Sequence, residues 1–376
     1  MRVAINTLAV IPGVTVSAET YTSSLVHSLL HEDKQNEYIL ILRKDNKHIF
    51  PDEGKRVSHF VAPVGVGSRV GRVLWEQLVL PWVCRSQRID LLMIPTGVGP
   101  IWVPCRTIVV VTLMQAFQMP DSLPCLRRVY YRWFHSISLR HASRVVALSE
   151  QGRQDIQHYI GLDPAKIEVV HPGVPGEFRQ MSGDARFNSI AEIGDGRDYI
   201  LAVGPVQPYK NLDLLIRAFG IVRTRGIPHR LVIASGGQPV PFSLKHLADK
   251  IGTDGEVCFI ERFLSREELI TLYSGAAVFV HPSSVEQFNL TVLEAMACGV
   301  PVITSDLPSF REQVGDAGIT VQTQNKEALQ EAIIRVLSHQ DLRKDMASRS
   351  LERSRMFSWI VAAQKMADIF ETITLV

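Results

Sequence analysis

The chain has 376 residues, of which 46% are hydrophobic and 21% charged, and its formal net charge is +2. This composition is typical of a globular protein and excludes a disordered chain, which would have fewer apolar residues and more charge. Five cysteines in so long a chain exclude a disulfide scaffold, and a net charge near zero argues against a nucleic-acid partner. At roughly 150 residues per domain, the length predicts two or three domains.

The charge is unevenly divided along the chain. Residues 1–180 contain 20 lysines and arginines against 15 aspartates and glutamates, a net charge of +5. Residues 181–376 contain 20 against 23, a net charge of −3. The difference is either chance or a basic surface in the first half that suits an anionic partner such as a phospholipid or a lipid-linked substrate.

In the first half of the chain, short apolar segments alternate with amphipathic helices. Apolar residues recur at helical spacing between Ala18 and His31, for example. The predicted strands are Arg2–Leu8, Tyr38–Leu42, Leu91–Ile94, Ile108–Val111, Arg144–Leu148 and Ile167–His171. The predicted helices are Ala18–His31, Arg72–Cys84, Arg127–Ala142 and Glu150–Ile160.

Residues 173–197 show no periodicity and hold several Gly, Ser and Asp residues, which indicates a domain boundary. We place an N-terminal domain at 1–185, a second domain at 186–355 and a final helical segment at 356–376. The predicted strands of the second half are Tyr199–Gly204, Leu231–Ala234, Val257–Ile260, Ala277–His281 and Val302–Ser305. Its predicted helices are Asn211–Arg225, Ser243–Ile251, Arg266–Ser274, Asn289–Cys298, Lys326–Ser338 and those within Leu342–Ile373.

This alternation predicts an α/β protein made of two doubly wound parallel sheets with helices on both faces. In such folds a ligand binds outside the carboxyl ends of the strands. We therefore expect a ligand cleft between the two halves.

The segment from His281 to Asp306 has the strongest functional pattern. A buried strand ends in a loop with Glu286, and a helix begins near Asn289, a favourable N-cap residue, with Glu294 on its second turn. A helix N-terminus offers free N–H groups that suit a phosphate, and a nearby carboxylate can accept hydrogen bonds from both hydroxyls of ribose. The alternative is a helix with solvated glutamates, and the apolar neighbours of Glu294 argue against it.

The segment from Tyr199 to Gly220 has a second pattern of this kind. Gly204 ends a strand, a proline-containing loop follows, and Lys210 stands just before the helix that starts at Asn211. A lysine at this place directs its ammonium group to the space in front of the helix N-terminus, where a diphosphate would lie. The alternative is a solvated loop lysine.

These segments resemble the retaining glycosyltransferases of family 4 (group 1), which have the GT-B fold. Glu286 and Glu294 have the spacing of the family's EX7E motif, Lys210-Asn211 resembles its lysine–asparagine helix start, and EAMACGVPVITSD is similar to its signature. Phe357-Ser358-Trp359 resembles the family's FSW, where the last helix crosses back to the N-terminal domain. The N-terminal half matches more loosely, in MRVAINTLAVIPG, NEYILIL, LWEQLVLP, VVALSEQGRQDI and IEVVHPGV.

The resemblance implies transfer of a sugar, with retention of configuration, from a nucleotide-sugar donor to a glycan or lipid-linked acceptor in polysaccharide biosynthesis. Glu286 and Lys210 would be catalytic, and Glu294 would hold the ribose. The implied donor-binding residues are Gly204, Lys210, Arg262, Gln287, Phe288, Asn289, Leu290, Thr291 and Glu294. The implied residues of the acceptor or active-site loops are Ser17, Ala18, Glu19, Thr112, Leu113 and Met114.

No cofactor and no metal are implied. The chain has no DxD pair at a strand end, and Lys210 together with a helix terminus would take the place of the cation. The backbone N–H groups of residues 288–291 would meet the sugar and phosphates of the donor.

The chain departs from the family pattern at four places near these ligands. The first loop reads Val16-Ser17-Ala18-Glu19 where the family has a Gly-Gly pair, and Thr112-Leu113, or Met114-Gln115 in a shifted register, stands where the family has His-Asp. Pro205 replaces an arginine at the diphosphate, and Glu286-Gln287-Phe288-Asn289 replaces EGFG. One lost diphosphate cation would cost about 2.7–4 kcal/mol of transition-state stabilisation, by analogy with one oxyanion donor.

Three hypotheses therefore stay open at the level of sequence. The chain is an active glycosyltransferase with an unusual pocket. Alternatively, it is a degenerate GT-B protein that binds a sugar nucleotide or a partner without efficient turnover. The third alternative is another GT-B enzyme, such as a nucleotide-sugar epimerase or a phosphorylase.

The stretch Arg127–Arg144 has five arginines and no acidic residue, interleaved with aromatic side chains. It is either a peripheral membrane-binding patch or a helix with a solvated basic face. Since we find neither a signal-peptide pattern nor a long apolar segment, we expect a cytoplasmic protein. For His171 and His281, each at a strand end, we favour buried, hydrogen-bonded side chains over ligands.

Overall fold

A computed structural model describes residues 1–50, 56–63, 69–181, 193–253 and 255–374 of the chain. The chain divides into two compact units, Met1–Gly173 with Ser358–Val376, and Val174–Phe357. The boundary placed from sequence at 185/186 lies outside the described residues, and the division falls earlier in the chain, at Gly173. The final segment joins the first unit from Ser358 onward, close to the expected residue 356.

The first unit is built on a seven-stranded parallel sheet of order β3-β2-β1-β4-β5-β6-β7. Its strands are β1 (Arg2–Asn6), β2 (Glu37–Leu42), β3 (Val57–Val61), β4 (Leu91–Ile94), β5 (Arg106–Val111), β6 (Arg144–Ala147) and β7 (Ile167–Val169). Its helices are α1 (Val16–Glu32), α2 (Arg69–Leu78), α3 (Leu80–Ser86), α4 (Gln115–Gln118), α5 (Cys125–His141) and α6 (Glu150–Ile160). Short 3₁₀ turns lie at Lys47–Ile49, Pro120–Ser122 and Pro164–Lys166.

Three elements of this unit differ from the sequence-based expectation. Helix α4, with only four residues, was not predicted. The helix expected over Arg72–Cys84 is two helices, because Pro81 lies in the first turn of α3 and its ring cannot continue α2. Strand β3 was not predicted, because Ser58 and His59 interrupt its apolar run. These polar residues are accommodated because β3 is an edge strand with a half-exposed face.

The last helix, α14 (Trp359–Thr374), packs against α1 within the first unit. The Trp359 ring meets the Tyr21 ring edge-on at 5.4 Å between centroids, and Gln364 Nε2 donates a hydrogen bond to Glu32 Oε2 at 3.0 Å. The return of the C-terminal helix to the first domain, which the FSW segment implied, is therefore confirmed.

Replacing Gly173 with alanine should destabilise the first unit. A Cβ atom at this position would lie 2.0 Å from the backbone nitrogen of Trp359, so the crossing chains would have to separate. Overpacking of this kind costs about 1–3 kcal/mol, which thermal unfolding would report as a lower Tm. Gly176→Ala is the matched control, because its Cβ would meet no atom within 4 Å. Equal Tm values for the two variants would contradict the close approach.

The second unit is built on a six-stranded parallel sheet of order β10-β9-β8-β11-β12-β13, with an apolar core on each face. Its strands are β8 (Tyr199–Val203), β9 (Arg230–Ala234), β10 (Val257–Ile260), β11 (Ala276–His281), β12 (Val302–Ser305) and β13 (Ile319–Val321). Its helices are α7 (Leu212–Thr224), α8 (Phe242–Lys250), α9 (Arg266–Gly275), α10 (Leu290–Ala297), α11 (Pro308–Val314), α12 (Lys326–Ser338) and α13 (Gln340–Ser354). A 3₁₀ turn spans Pro208–Lys210.

Helix α11 and strand β13 were not predicted, because they are too short to show a period. The α/β class with two doubly wound parallel sheets is confirmed, since every strand pairing among the described residues is parallel. The strand order of the second sheet reverses between β8 and β11, and ligands of such sheets bind at this switch point. Within the described ranges, no helix is long and apolar enough to span a membrane.

Candidate functional site

The loops that follow β8 and β11 meet at the switch point of the second sheet. A pocket there is lined by residues of both segments, including Gly204, Pro205, Lys210 and Pro282. Asn211 joins the loops, since its Nδ2 donates hydrogen bonds to the Pro282 carbonyl at 2.8 Å and to Ser284 Oγ at 2.7 Å. Asn211 itself adopts a left-handed conformation (φ 51°), which asparagine tolerates better than most residues.

Lys210, His281, Glu286 and Asn289 form one hydrogen-bonded cluster, and Lys210 and His281 also line this pocket. Lys210 Nζ is ion-paired with Glu286 Oε1, which also lies 3.1 Å from His281 Nε2 and 3.1 Å from Asn289 Nδ2. Lys210 Nζ lies 3.4 Å from His281 Nε2 and 5.3 Å from the centre of the Tyr209 ring. The cluster thus holds one lysine and one carboxylate almost out of contact with water.

The charge state of the cluster follows from these contacts. Burial alone would raise the pKa of Glu286, but the charge of Lys210 and the hydrogen bond and charge of His281 outweigh it and lower the pKa to about 2. Burial and the charge of Lys210 lower the pKa of His281. At neutral pH the Glu286 carboxyl group is therefore ionised.

Asn289 connects this cluster to helix α10. Its Oδ1 accepts hydrogen bonds from the Val292 N–H at 3.0 Å and from Thr291 Oγ1 at 2.7 Å, so the side chain caps the helix while its Nδ2 holds Glu286. The φ of Asn289 is −120°, which does not require glycine. Loss of this glycine from the EGFG pattern therefore leaves the backbone unstrained and adds a fixed donor to Glu286.

The amides at the start of α10 are only partly available to a ligand. The Asn289 N–H donates to Gln313 Oε1 at 3.2 Å, and Gln313 Nε2 donates back to the Asn289 carbonyl at 2.7 Å. The expectation that the amides of residues 288–291 meet a donor stays a prediction, and the Asn289 N–H already has a side-chain partner in this structure. Among the described residues, the N–H groups of Leu290 and Thr291 have no partner.

Glu294 lies apart from the cluster, on the second turn of α10. It is buried, and Tyr273 of α9 donates a hydrogen bond from its hydroxyl to Glu294 Oε2 at 2.9 Å. Burial raises the pKa of Glu294 to about 7, against the opposing effects of the Tyr273 hydrogen bond and the Arg266 charge. This carboxyl group therefore changes its charge near neutral pH.

The remaining residues expected in the donor site are placed unequally. Gly204 lies in the pocket with φ 143°, a conformation that favours glycine. Both amide atoms of Gln287 are buried and have no partner among the described residues, so a water or a ligand group would complete them. The Phe288 ring packs on the Phe357 ring with 5.4 Å between their centroids. Arg262 is an exposed side chain, paired with Glu268 at 2.6 Å, and has no contact with the cluster.

The residues expected in the acceptor loops lie in the first unit and do not form a cluster. Ser17, Ala18 and Glu19 belong to the first turn of α1 and not to a loop, and Glu19 Oε2 accepts a hydrogen bond from the Gly13 N–H at 3.0 Å. Thr112 and Leu113 follow β5 and are half-buried. Met114 is buried in the apolar core, so its expected role at an active-site loop is not supported by its position.

Three residues outside the expected catalytic and donor-binding set shape the site. Tyr273 stands 21 positions before Glu294, and Asn211 lies 71 before Pro282, so no local pattern pairs them. His281 was expected to be buried and hydrogen-bonded, which is confirmed, but its contact with Glu286 shows that it also positions that carboxylate. Its place at the end of an apolar strand, before Pro282, was the available signal.

Two family models match the chain, one in each unit. Residues 18–178 match the model described as Glycosyltransferase Family 4, and residues 185–353 match Glycosyl transferases group 1. A curated relative, D-inositol 3-phosphate glycosyltransferase of Nocardioides sp., is 32% identical over 247 residues, which are 61% of this chain and 53% of the relative. The chain thus aligns with only about half the length of the curated relatives it matches.

Solved structures share the fold at low sequence identity. Sucrose-phosphate synthase from Thermosynechococcus elongatus has a TM-score of 0.78 at 17% identity, covering 100% of this chain and 99% of that one. HepE of Anabaena, solved in complex with UDP-glucose, has a TM-score of 0.77 at 16% identity, covering 99% and 100%. With family matches in both units and this fold, the chain belongs to the group 1 glycosyltransferases of GT-B fold.

Proposed function

We propose that the protein transfers a hexosyl group from a nucleotide-sugar donor to a glycan or lipid-linked acceptor with retention of anomeric configuration. The observation that carries this proposal is the buried Lys210–Glu286 pair at the switch point of the second sheet, beside the N-terminus of α10. The complexes of HepE with UDP and with UDP-glucose support a nucleotide sugar as the donor.

In this proposal Lys210 moves from Glu286 to the donor diphosphate and neutralises the charge that builds on it as the sugar leaves. Once the donor has bound, the ammonium group is in place before the sugar leaves, and electrostatic stabilisation of this kind is a large part of catalysis. The free amides of Leu290 and Thr291 add N–H donors on the same side. In the family pattern a lysine and an arginine both lie at the diphosphate. Pro205 stands in place of that arginine and has no charge, so Lys210 would stabilise the diphosphate without a second cation.

The two glutamates take different roles because their surroundings differ. Glu286 stays ionised, is held by His281 and Asn289, and would lie beside the donor sugar. Glu294, with its pKa near 7, would accept hydrogen bonds from the ribose hydroxyls. Gln287, whose buried amide lacks a partner among the described residues, would complete its hydrogen bonds on the donor sugar.

The test is a transfer assay with a panel of UDP- and GDP-sugars and with glycan and lipid-linked acceptors, in which NMR reports the anomeric configuration of the product. We expect a product with the configuration of the donor, and the same rate in excess EDTA, since Lys210 serves in place of a metal. An inverted product would exclude retention. Saturable nucleotide binding without any transfer would favour a degenerate binding protein, and interconversion of free sugar nucleotides would favour an epimerase.

Replacing Tyr273 with phenylalanine should weaken donor binding and shift its pH dependence. The Tyr273 hydroxyl lowers the pKa of Glu294, so its loss moves that pKa above 7 and leaves more of the carboxyl group protonated at neutral pH. A hydrogen bond to a charged group contributes about 1.5–3 kcal/mol, so we expect a donor Kd at least about tenfold higher at pH 7. Calorimetric titration with a UDP-sugar across pH measures both effects, with little change in kcat at saturating donor.

Tyr199→Phe is the matched control for this prediction. Its buried hydroxyl donates to the Leu272 carbonyl at 2.7 Å, so the variant also loses a buried hydrogen bond but does not touch Glu294. Both variants should lose some stability, whereas only Tyr273→Phe should move the midpoint of pH-dependent binding. An unshifted midpoint would reduce Tyr273 to a structural residue.

A further inference from the structure

An exposed apolar stripe runs along α2 and α3 of the first unit. Val70, Leu74, Leu78 and Trp82 recur every four residues, and the last two are 73% and 66% exposed. The opposite side of the same helices, with Trp75, Leu80 and Val83, is packed into the core. The stripe is therefore not a by-product of a poorly packed helix, since the helices already bury a different face.

Helix α5 presents a second stripe of the same kind. Leu126, Val129 and Trp133 follow helical spacing and are 87%, 58% and 57% exposed. The buried side of α5 is formed instead by His135, Ser138 and Leu139. Such side chains cost free energy in water unless another surface covers them.

The two stripes belong to helices that both contact the loop after β4. A Cβ atom at Gly97 would lie 3.9 Å from Arg72 Nη1 of α2, and one at Gly99 would lie 2.7 Å from Ser138 Oγ of α5. The loop after β4 lies beside α2, since the Ile101 N–H donates to Gln77 Oε1 at 2.9 Å, and it presents Trp102 at 67% exposure. We name the exposed apolar side chains of α2, α3, α5 and this loop, with the arginines described next, the apolar–arginine face.

The charges beside these stripes are positive. Arg69, Arg85, Arg127 and Arg132 are exposed, and among the described residues none of them has an acidic partner. Arg128 is paired with Asp121 at 3.0 Å, and Glu76 of α2 is buried beside Arg72. In a lipid interface, acyl chains lie below anionic headgroups. The exposed aromatic and aliphatic side chains suit the acyl layer, and the flanking arginines suit the headgroups.

We propose that the apolar–arginine face docks onto an anionic lipid bilayer. Trp82, Trp102 and Trp133 would enter the interfacial layer that tryptophan prefers, and the arginines would contact lipid phosphates. A second copy of this chain is a poorer occupant, because a two-fold contact would bring unpaired arginines of both copies together without carboxylates between them. The proposal concerns the first unit alone and does not depend on the transfer reaction.

The test is co-sedimentation of the full chain, without any sugar nucleotide, with vesicles of phosphatidylcholine alone or mixed with phosphatidylglycerol. We expect binding to the mixed vesicles, weakened at high ionic strength, and little binding to the neutral ones. Two double variants address the two parts of the face, Arg127→Glu with Arg132→Glu and Leu78→Ser with Trp82→Ser. Each should weaken binding at least tenfold, since each basic residue near such a surface contributes about 1 kcal/mol and buried apolar groups contribute similarly.

Phe242→Ser with Lys344→Glu in the second unit is the matched control, because it removes one exposed aromatic residue and one exposed cation elsewhere on the chain. This control should bind as the wild type does, and circular dichroism should show all variants folded. Absence of binding to the mixed vesicles, or equal binding by folded face variants and wild type, overturns the proposal. So does a dimer in sedimentation velocity that the face variants dissociate.

Discussion

Lys210→Met should lower kcat for sugar transfer by about 10²–10³-fold. Among the described residues of the second unit, Lys210 is the one lysine or arginine in the buried cluster. Pro205 stands where the family pattern has a second cation, an arginine. The variant also strands Glu286 as a buried charge with only His281 and Asn289 as partners. Breaking such a pair costs about 3–5 kcal/mol of the free energy of unfolding. Chemical denaturation and steady-state kinetics measure the two losses separately.

A second variant separates catalysis from folding. In Lys210→Met with Glu286→Gln both charges are gone, so most of the lost stability should return while the transfer activity stays absent. Lys245→Met breaks the exposed pair with Glu261 and should change neither quantity appreciably. If the double variant regained activity together with stability, Lys210 would be a structural residue only.

The stability supplied by the Lys210–Glu286 pair should depend on pH in one direction. The pKa of Glu286 is lowered from its ordinary value of 4.5 to about 2. This contribution is therefore fully present above pH 4.5 and is lost as the pH falls through about 2, where the carboxyl group becomes protonated in the folded state.

Glu294→Gln should weaken donor binding while it leaves the protein at least as stable as the wild type. The lost acceptor for the ribose hydroxyls is worth about 1.5–3 kcal/mol, which is roughly a tenfold to hundredfold higher Kd at pH 8. Because the pKa of Glu294 is raised to about 7, the folded state bears the cost of a buried charge above that pH, and glutamine removes it. Calorimetric titration with a UDP-sugar and thermal unfolding at pH 8 measure the two quantities.

The pH dependence of binding identifies the ionised carboxylate as the acting group. In the wild type, donor affinity should fall as the pH drops through about 7, and this dependence should be absent in Glu294→Gln. Glu331→Gln, an exposed residue on α12, should bind like the wild type at every pH. The same pH profile in wild type and Glu294→Gln would remove Glu294 from the donor site.

The loss of glycine from the donor loop affects its backbone less than the family pattern alone suggests. The absence of glycine at position 289 suggested a blocked backbone, but the observed φ of −120° is open to any residue. The asparagine also caps α10 and holds Glu286, which a glycine could not do. The replacement of an arginine by Pro205 is not compensated in this way, because no other described side chain brings a positive charge to the cluster beside Lys210.

The sequence by itself determined the elements and the family. Strands buried on both faces must be short apolar runs, and helices must repeat their apolar residues every three to four positions, so both patterns are local. The EX7E spacing is equally local, since one loop and one helix carry it. Element prediction failed where the local signal was weak, as at the edge strand β3. The two units divide at Gly173, the first residue of the aperiodic stretch 173–197.

Only the tertiary structure decided how the functional residues act. Lys210 and Glu286 lie 76 positions apart and meet because the sheet places β8 beside β11, and the same pairing brings Asn211 to Pro282. Packing of α9 against α10 gives Glu294 its hydroxyl partner and its raised pKa. The sequence also places Trp82 and Trp133 on helices. Whether their side chains are exposed depends on which face of each helix packs against the core. Burial and pairing are properties of the assembled layers, and no local pattern contains them.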